Sequence, residues 1–224
     1  MRKSTKIVAL DQHMDSITVA VAEPGRRPPE LYGDIANTTE AITQLARRLS
    51  RRSTQLRFCY EAGPCGYGLY RQLTAMGHEC GVVAPSLVPR RPGDRIKTDR
   101  RDALSLARLH RRGDLAEVWV PDEEQEAIRD LVRCRTGLQA RRTASTATLH
   151  SFLLRHGRFY SGRSRWTQAP YRWLATQRFA HAAQQVAFEE YVDAVRSASR
   201  GVRALEDDLR QALEGGLWSR WSVA

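Results

Sequence analysis

Lysine is nearly absent from this sequence: Lys3, Lys6 and Lys97 are the only three among 36 basic residues, and the other 33 are arginine. Long apolar runs are missing too, and none approaches the roughly 20 residues that span a bilayer, which excludes a membrane-crossing helix. The basic start Met-Arg-Lys-Ser-Thr-Lys leads into an Asp-interrupted strand pattern instead of a signal-peptide core, so a cytoplasmic protein is expected. Cysteine is sparse. Cys59, Cys65, Cys80 and Cys134 form no C-x-x-C pair and have no histidine at zinc-finger spacing, so they read as buried, reduced thiols.

What is present is charge of one sign. The 224 residues carry a net charge of +11 and a pI near 10.1, with 42% hydrophobic content, enough to bury a core. Arginine offers a planar fork that pairs two-handed with phosphate, whereas lysine is a point charge. A strongly basic chain of this kind most often meets nucleic acid, with an acidic membrane surface as the runner-up. A GC-rich genome accounts for Arg over Lys, but not for the surplus of positive charge.

The first half alternates strands and helices. Residues 6–10 form a short apolar run ending at Asp11, a strand buried on both faces. After the turn at 12–15, Ile17, Val19 and Val21 alternate with Thr18, Ala20 and Ala22 as the second arm of a hairpin. Residues 30–33 supply a third strand. Asn37 with Glu40 reads as a capping box for a helix carrying Ile42, Leu45, Ala46 and Leu49. A strand over 55–60 ends at Glu61; Ala62-Gly63-Pro64 turns into a helix with Leu69, Leu73 and Met76; residues 80–84 make a fifth strand. Strands separated by helices imply parallel pairing. The predicted fold is α/β: a ribonuclease H-like (RuvC-like) domain over residues 1–121 with a mixed five-stranded sheet, closed by Trp119-Val120-Pro121.

Residues 87–101 read as a basic loop carrying Arg90, Arg91, Arg95, Lys97, Arg100 and Arg101, with a helix starting from about Asp99. From residue 122 the pattern is all helical. Asp122 caps a long helix whose apolar residues Ile128, Leu131, Leu138, Leu149 and Phe152 are interrupted by Arg135 and Arg142, and 157–162 breaks the chain. A last helix sets Phe188, Tyr191, Val195, Ala198, Val202, Leu205, Leu209 and Ala212 at alternating steps of three and four, a coiled-coil seam. Residues 122–224 are therefore expected to be a helical coiled-coil region that folds back on itself, pairs with another subunit to give a homo-oligomer, or does both.

Four acids carry the chemistry. Asp11 and Glu61 end predicted central strands, where open α/β sheets form their ligand crevices. Asp99 and Asp102, three apart at a helix start, share one face. Gathering carboxylates costs about 4 kcal/mol per close pair at intermediate dielectric, a cost that bound cations offset. Hard oxygen ligands select Mg²⁺ or Mn²⁺. Each acid alone also has a structural reading: Asp11 as a turn residue, Asp99 as an N-cap, Asp102 as an arginine partner. Asp15, Asp34, Asp94 and Asp122 read as structural.

Three segments carry a resemblance: Ile-Val-Ala-Leu-Asp11-Gln-His-Met-Asp-Ser-Ile-Thr-Val-Ala-Val, Tyr-Glu61-Ala-Gly-Pro-Cys-Gly-Tyr-Gly-Leu-Tyr, and Lys97-Thr-Asp99-Arg-Arg-Asp102-Ala-Leu-Ser-Leu-Ala-Arg-Leu. In this order and spacing they resemble the DEDD transposases of the insertion-sequence 110 family. The resemblance covers essentially the whole chain. It implies a bacterial DNA transposase, or site-specific recombinase, associated with the nucleoid when bound to DNA. By position, Asp11, Glu61, Asp99 and Asp102 would be the catalytic residues and the Mg²⁺ ligands (Mn²⁺ an alternative). It also implies a structured guide RNA that pairs with target and donor DNA. The basic residues at 90–101, with Arg129, Arg133, Arg135, Arg141 and Arg142, would then contact phosphate, or else form a solvated basic face. Members of the family continue into a C-terminal domain with a catalytic serine. The chain stops near where that domain should begin, and is expected to be a truncated form; Ser161, Ser164, Ser219 and Ser222 do not match the serine motif.

Other readings remain. The chain could be a catalytically incomplete RNA- or DNA-binding dimerisation module, or a stand-alone RuvC-like nuclease. An actin-like kinase shares the strand order, but Gln12-His13-Met14 follows Asp11 where a Gly-rich phosphate turn is needed, and a second matching half is missing.

Overall fold

The computed structural model describes residues 4–50, 54–89, 98–162 and 168–214. The chain divides into two compact units, Met1–Val120 and Pro121–Ala224.

The first unit is α/β, with a five-stranded sheet in the order β3-β2-β1-β4-β5. Its strands are β1 (Ser4–Gln12), β2 (Ser16–Ala22), β3 (Glu30–Ala36), β4 (Thr54–Glu61) and β5 (Glu79–Val83). The pairs β1–β2 and β2–β3 are antiparallel, while β1–β4 and β4–β5 are parallel. This is the mixed sheet expected of the ribonuclease H-like arrangement. The chain crosses from β3 to β4 through α1 (Thr39–Leu49) and from β4 to β5 through α2 (Gly68–Ala75).

Period-two alternation in β1 decides what packs where. Val8 and Leu10 face one side with Ile17, Val19, Leu56, Phe58 and Tyr60, under Ile42 and Leu45 of α1 and Leu69 and Leu73 of α2. Ile7 and Ala9 face the other side with Ala20, Ala22, Cys59 and Val83, under α3 (Asp99–Arg112). Alanine dominates the second interface, and Ala103 and Ala107 of α3 are fully buried against it. Small side chains let the helix axis sit close to the sheet. That closeness carries the first turn of α3 to the carboxyl ends of β1 and β4.

One helix cap differs from the sequence expectation, while the helix expected from about Asp99 starts there. Thr38 caps α1, its hydroxyl accepting from Ala41 N–H, while Asn37 is committed elsewhere. Thr98 caps α3 by accepting from Arg101 N–H, so Asp99 is the first helical residue and not the cap. Arg100 and Arg101 therefore belong to the first turn of α3 and not to a loop; Arg90, Arg91, Arg95 and Lys97 lie outside the described residues. Of the cysteines, Cys59 is buried and Cys80 half-buried, but Cys65 and Cys134 are exposed, contrary to the buried-thiol expectation. Burial pushes the Cys59 thiol well above its ordinary range and Cys80 up to about 12, which keeps both protonated.

The second unit contains α4 (Glu123–Arg155), α5 (Gln168–Thr176) and α6 (Ala182–Glu214). Asp122 and Gln125 form a reciprocal capping box at the start of α4. The helices α4 and α6 run antiparallel. Leu149, Phe152 and Leu153 meet Phe188, Val192 and Val195 at one end. Farther along, Gly201 approaches Leu138, and Arg135 binds Glu206. Of the outcomes left open for the last helix, it folds back on the first. Arg135, an interruption of the apolar stripe, is thereby explained as an interhelical partner. Among the described residues, no helix is long and apolar enough to cross a membrane.

Candidate metal centre

Leu10 of β1 pairs with Tyr60 of β4 in parallel register, so Asp11 and Glu61 follow in step on adjacent strands. Strands lie about 4.8 Å apart. Both acids continue the rows of Ala9 and Cys59, which face α3, and both are half-buried. Above them, the first turn of α3 brings Asp99, which is exposed, and Asp102, which is half-buried with its Oδ2 shielded from solvent. Carboxylates in a first helical turn are also favoured by the helix dipole.

A residue that the sequence reading left in a turn completes the group. His13 Nε2 stands 3.6 Å from Asp11 Oδ2 and 3.4 Å from Asp99 Oδ1. Ligand atoms of Asp11, His13 and Asp99 all lie within 4.8 Å of one another. Glu61 and Asp102 stand outside that tight group. The sequence signal for His13 was its i, i+2 spacing from Asp11 at a strand end, which sets both side chains toward one face.

The turn bearing His13 is built from several contacts. His13 N–H donates to Ser16 O at 2.8 Å. Asn37 Nδ2 donates to His13 O at 2.7 Å and Met14 O at 3.2 Å, and its Oδ1 accepts from Gln12 Nε2 at 3.2 Å. Asn37 is thus a tether between the end of β3 and the β1–β2 turn. This duty explains why Thr38 caps α1 instead. Asp11 itself sits within β1, paired with Thr18, and not in the turn. Asp34 accepts from Thr18 Oγ1 at 2.6 Å and Asp122 caps α4, so both have structural duties; Asp94 lies outside the described residues.

The donor set fits a hard divalent cation. An ion at about 2.1 Å from its ligands sets them roughly 3.0 Å apart in cis and 4.2 Å apart in trans. The separations from His13 fall between these limits. Arg100 and Arg101 of the same helical turn are exposed.

The fold is thus an α/β one of the ribonuclease H-like class, with acidic residues at the ends of β1 and β4 and at the start of α3. Within it, residues 8–157 match the model of the DEDD transposase family of the insertion-sequence 110 type. The chain belongs to that family. It is 49% identical over 178 residues to y4qE of Sinorhizobium fredii, described as a transposase, covering 79% of this chain and 46% of that one. It is 32% identical over 209 residues to the transposase for insertion sequence element IS1533 of Leptospira borgpetersenii, covering 92% of this chain and 60% of that one. The chain therefore spans about half the length of these relatives. Among solved structures, the Thermoplasma acidophilum Pelota protein covers 59% of this chain and 41% of its own at 13% identity, with a TM-score of 0.27 that carries no argument.

Proposed function

We propose that the chain supplies the metal-dependent phosphodiester-cleaving half of a DNA transposase. Asp11, Glu61, Asp99 and Asp102 act as catalytic residues and ligands of Mg²⁺, with Mn²⁺ as an alternative. The observation that carries this reading is the in-step placement of Asp11 and Glu61 on adjacent parallel strands under the helical turn of Asp99 and Asp102. When bound, divalent ions in such a site activate an attacking hydroxyl or water and stabilise the leaving oxygen. The protein's own part is to hold four acids on three elements, where a bound cation relieves their mutual repulsion. Arg100 and Arg101, with the basic residues at 90–97, bind the DNA backbone without choosing sequence.

The same proposal includes a guide RNA that supplies the sequence choice, and an oligomer assembled through the helical unit. A net charge of +11 supports the polyanionic partner. The test incubates the chain with Mg²⁺ and branched or nicked element-end DNA, with and without the element's noncoding RNA. Mg²⁺-dependent nicking that Asp11→Asn abolishes is the expected result. Tight binding with no cleavage in either protein would leave a nucleic-acid-binding module.

A further inference from the structure

The geometry points to His13 as a direct protein ligand of the bound ion, making the site a mixed oxygen–nitrogen one that favours Mn²⁺ over Mg²⁺ relative to an all-carboxylate site. This rests on the proposal that the acidic group holds a divalent cation. It adds a nitrogen ligand to the four acids and a selectivity to the site.

Three observations carry it. First, His13 Nε2 lies between Asp11 and Asp99, 3.6 Å from one carboxylate and 3.4 Å from the other. N–H···O hydrogen bonds run about 2.7–3.2 Å, so both contacts are longer than a direct bond, and both lie within the cis-to-trans range of ligands around one ion. Second, the ring is presented from a turn that is already closed. His13 N–H donates to Ser16 O, and Asn37 holds the carbonyls of His13 and Met14, so little backbone freedom remains to be lost when the imidazole binds. Third, Asp11 and His13 come from one strand end while Asp99 comes from a helix start, so the three ligand atoms converge from two elements.

The consequence follows from ligand chemistry. Mg²⁺ takes oxygen ligands almost exclusively and gives up water reluctantly. Mn²⁺ is also chiefly an oxygen-binding ion, but it stands next to Fe²⁺ among the transition metals and accepts imidazole better than Mg²⁺ does. A neutral nitrogen ligand also adds no negative charge to that of Asp11, Glu61, Asp99 and Asp102, as a fifth carboxylate would.

The experiment uses the full chain with Mn²⁺ alone, at mildly alkaline pH, read by electron paramagnetic resonance with nitrogen-sensitive pulsed detection. Bound Mn²⁺ should show coupling to a directly coordinated nitrogen. His13→Ala should remove that coupling and weaken Mn²⁺ by about tenfold or more. His13→Asp, which offers oxygen in place of nitrogen, should recover affinity without the nitrogen signal and shift the Mg²⁺-to-Mn²⁺ preference toward Mg²⁺. Mn²⁺ bound without nitrogen coupling, or coupling that persists in His13→Ala, would overturn the assignment of His13 while leaving the acidic site in place. Absence of Mn²⁺ binding, or binding indifferent to both Asp11→Asn and Asp99→Asn, would overturn the acidic site itself and this inference with it.

Discussion

Asn37 Nδ2 donates to the carbonyl of His13 at 2.7 Å, tying the end of β3 to the turn that carries the imidazole toward Asp11 and Asp99. The contact joins residues 24 positions apart and is exposed, so its value lies in position more than in stability.

Asn37→Ala should therefore lower global stability by only about 1 kcal/mol, the usual worth of such bonds. Metal affinity should fall further than this small change implies, because the turn is released. Denaturant unfolding and Mn²⁺ titration of the same variant measure the two effects separately. Asn37→Asp, which replaces the donating amide with an acceptor facing two carbonyls, should be worse than alanine on both readouts.

Leu10 precedes Asp11 and is buried on the face opposite α3, beneath α1 and α2. Leu10→Ala should cost about 2–5 kcal/mol, since β1 is central in the sheet and its surroundings cannot collapse freely. Urea unfolding followed by circular dichroism checks this. An equal loss is not expected from truncating Leu31, a partly exposed residue of edge strand β3.

His110 is buried in α3, and its imidazole is held below the ordinary value of 6.5 by burial first and by the Arg57 guanidinium second. His78 is shifted in the same direction by burial. A depressed histidine makes the unfolded chain the better proton acceptor. Stability is then full above about pH 6.5 and declines as pH falls toward the folded-state values. A series of melting temperatures from pH 8 to pH 5 should show this decline, and His110→Leu should flatten it.

Arg135 was a candidate phosphate contact, but its guanidinium binds Glu206 of α6 through Nε at 3.1 Å and Nη2 at 2.5 Å. The pairing holds the Glu206 carboxyl below its usual range. Arg135→Ala should thus change DNA affinity little. Arg100→Ala, by contrast, removes an exposed cation beside the acidic site and should lower the slope of log affinity against log salt by about one. Fluorescence anisotropy across a salt series separates the two variants.

Much of the fold was legible because its signals are local. The apolar run before Asp11, the alternation from Ile17 to Val21 and the seam from Phe188 to Val202 each follow from the period of one element. Tertiary demands account for what was not. Asn37 has every local property of a helix cap, and only the β1–β2 turn, 24 residues away, shows why Thr38 takes that role. Val192 escaped the seam read through Tyr191, yet it is buried with Phe188 and Val195, while Tyr191 packs on Phe152 beside them. In the site, the acids were visible as strand and helix ends. His13 was not, because a histidine in a turn gains meaning only when α3 delivers Asp99 beside it.

The central claim is that the acids at the carboxyl ends of β1 and β4 and at the start of α3 form one cation site. Calorimetric titration of Mg²⁺ and Mn²⁺ into the full chain and into Asp11→Asn, Glu61→Gln, Asp99→Asn and Asp102→Asn tests it most directly. The account predicts saturable binding by the parent chain, weakened about tenfold or more in every variant while each keeps its fold by circular dichroism. Equal binding by the parent and all four variants would contradict it.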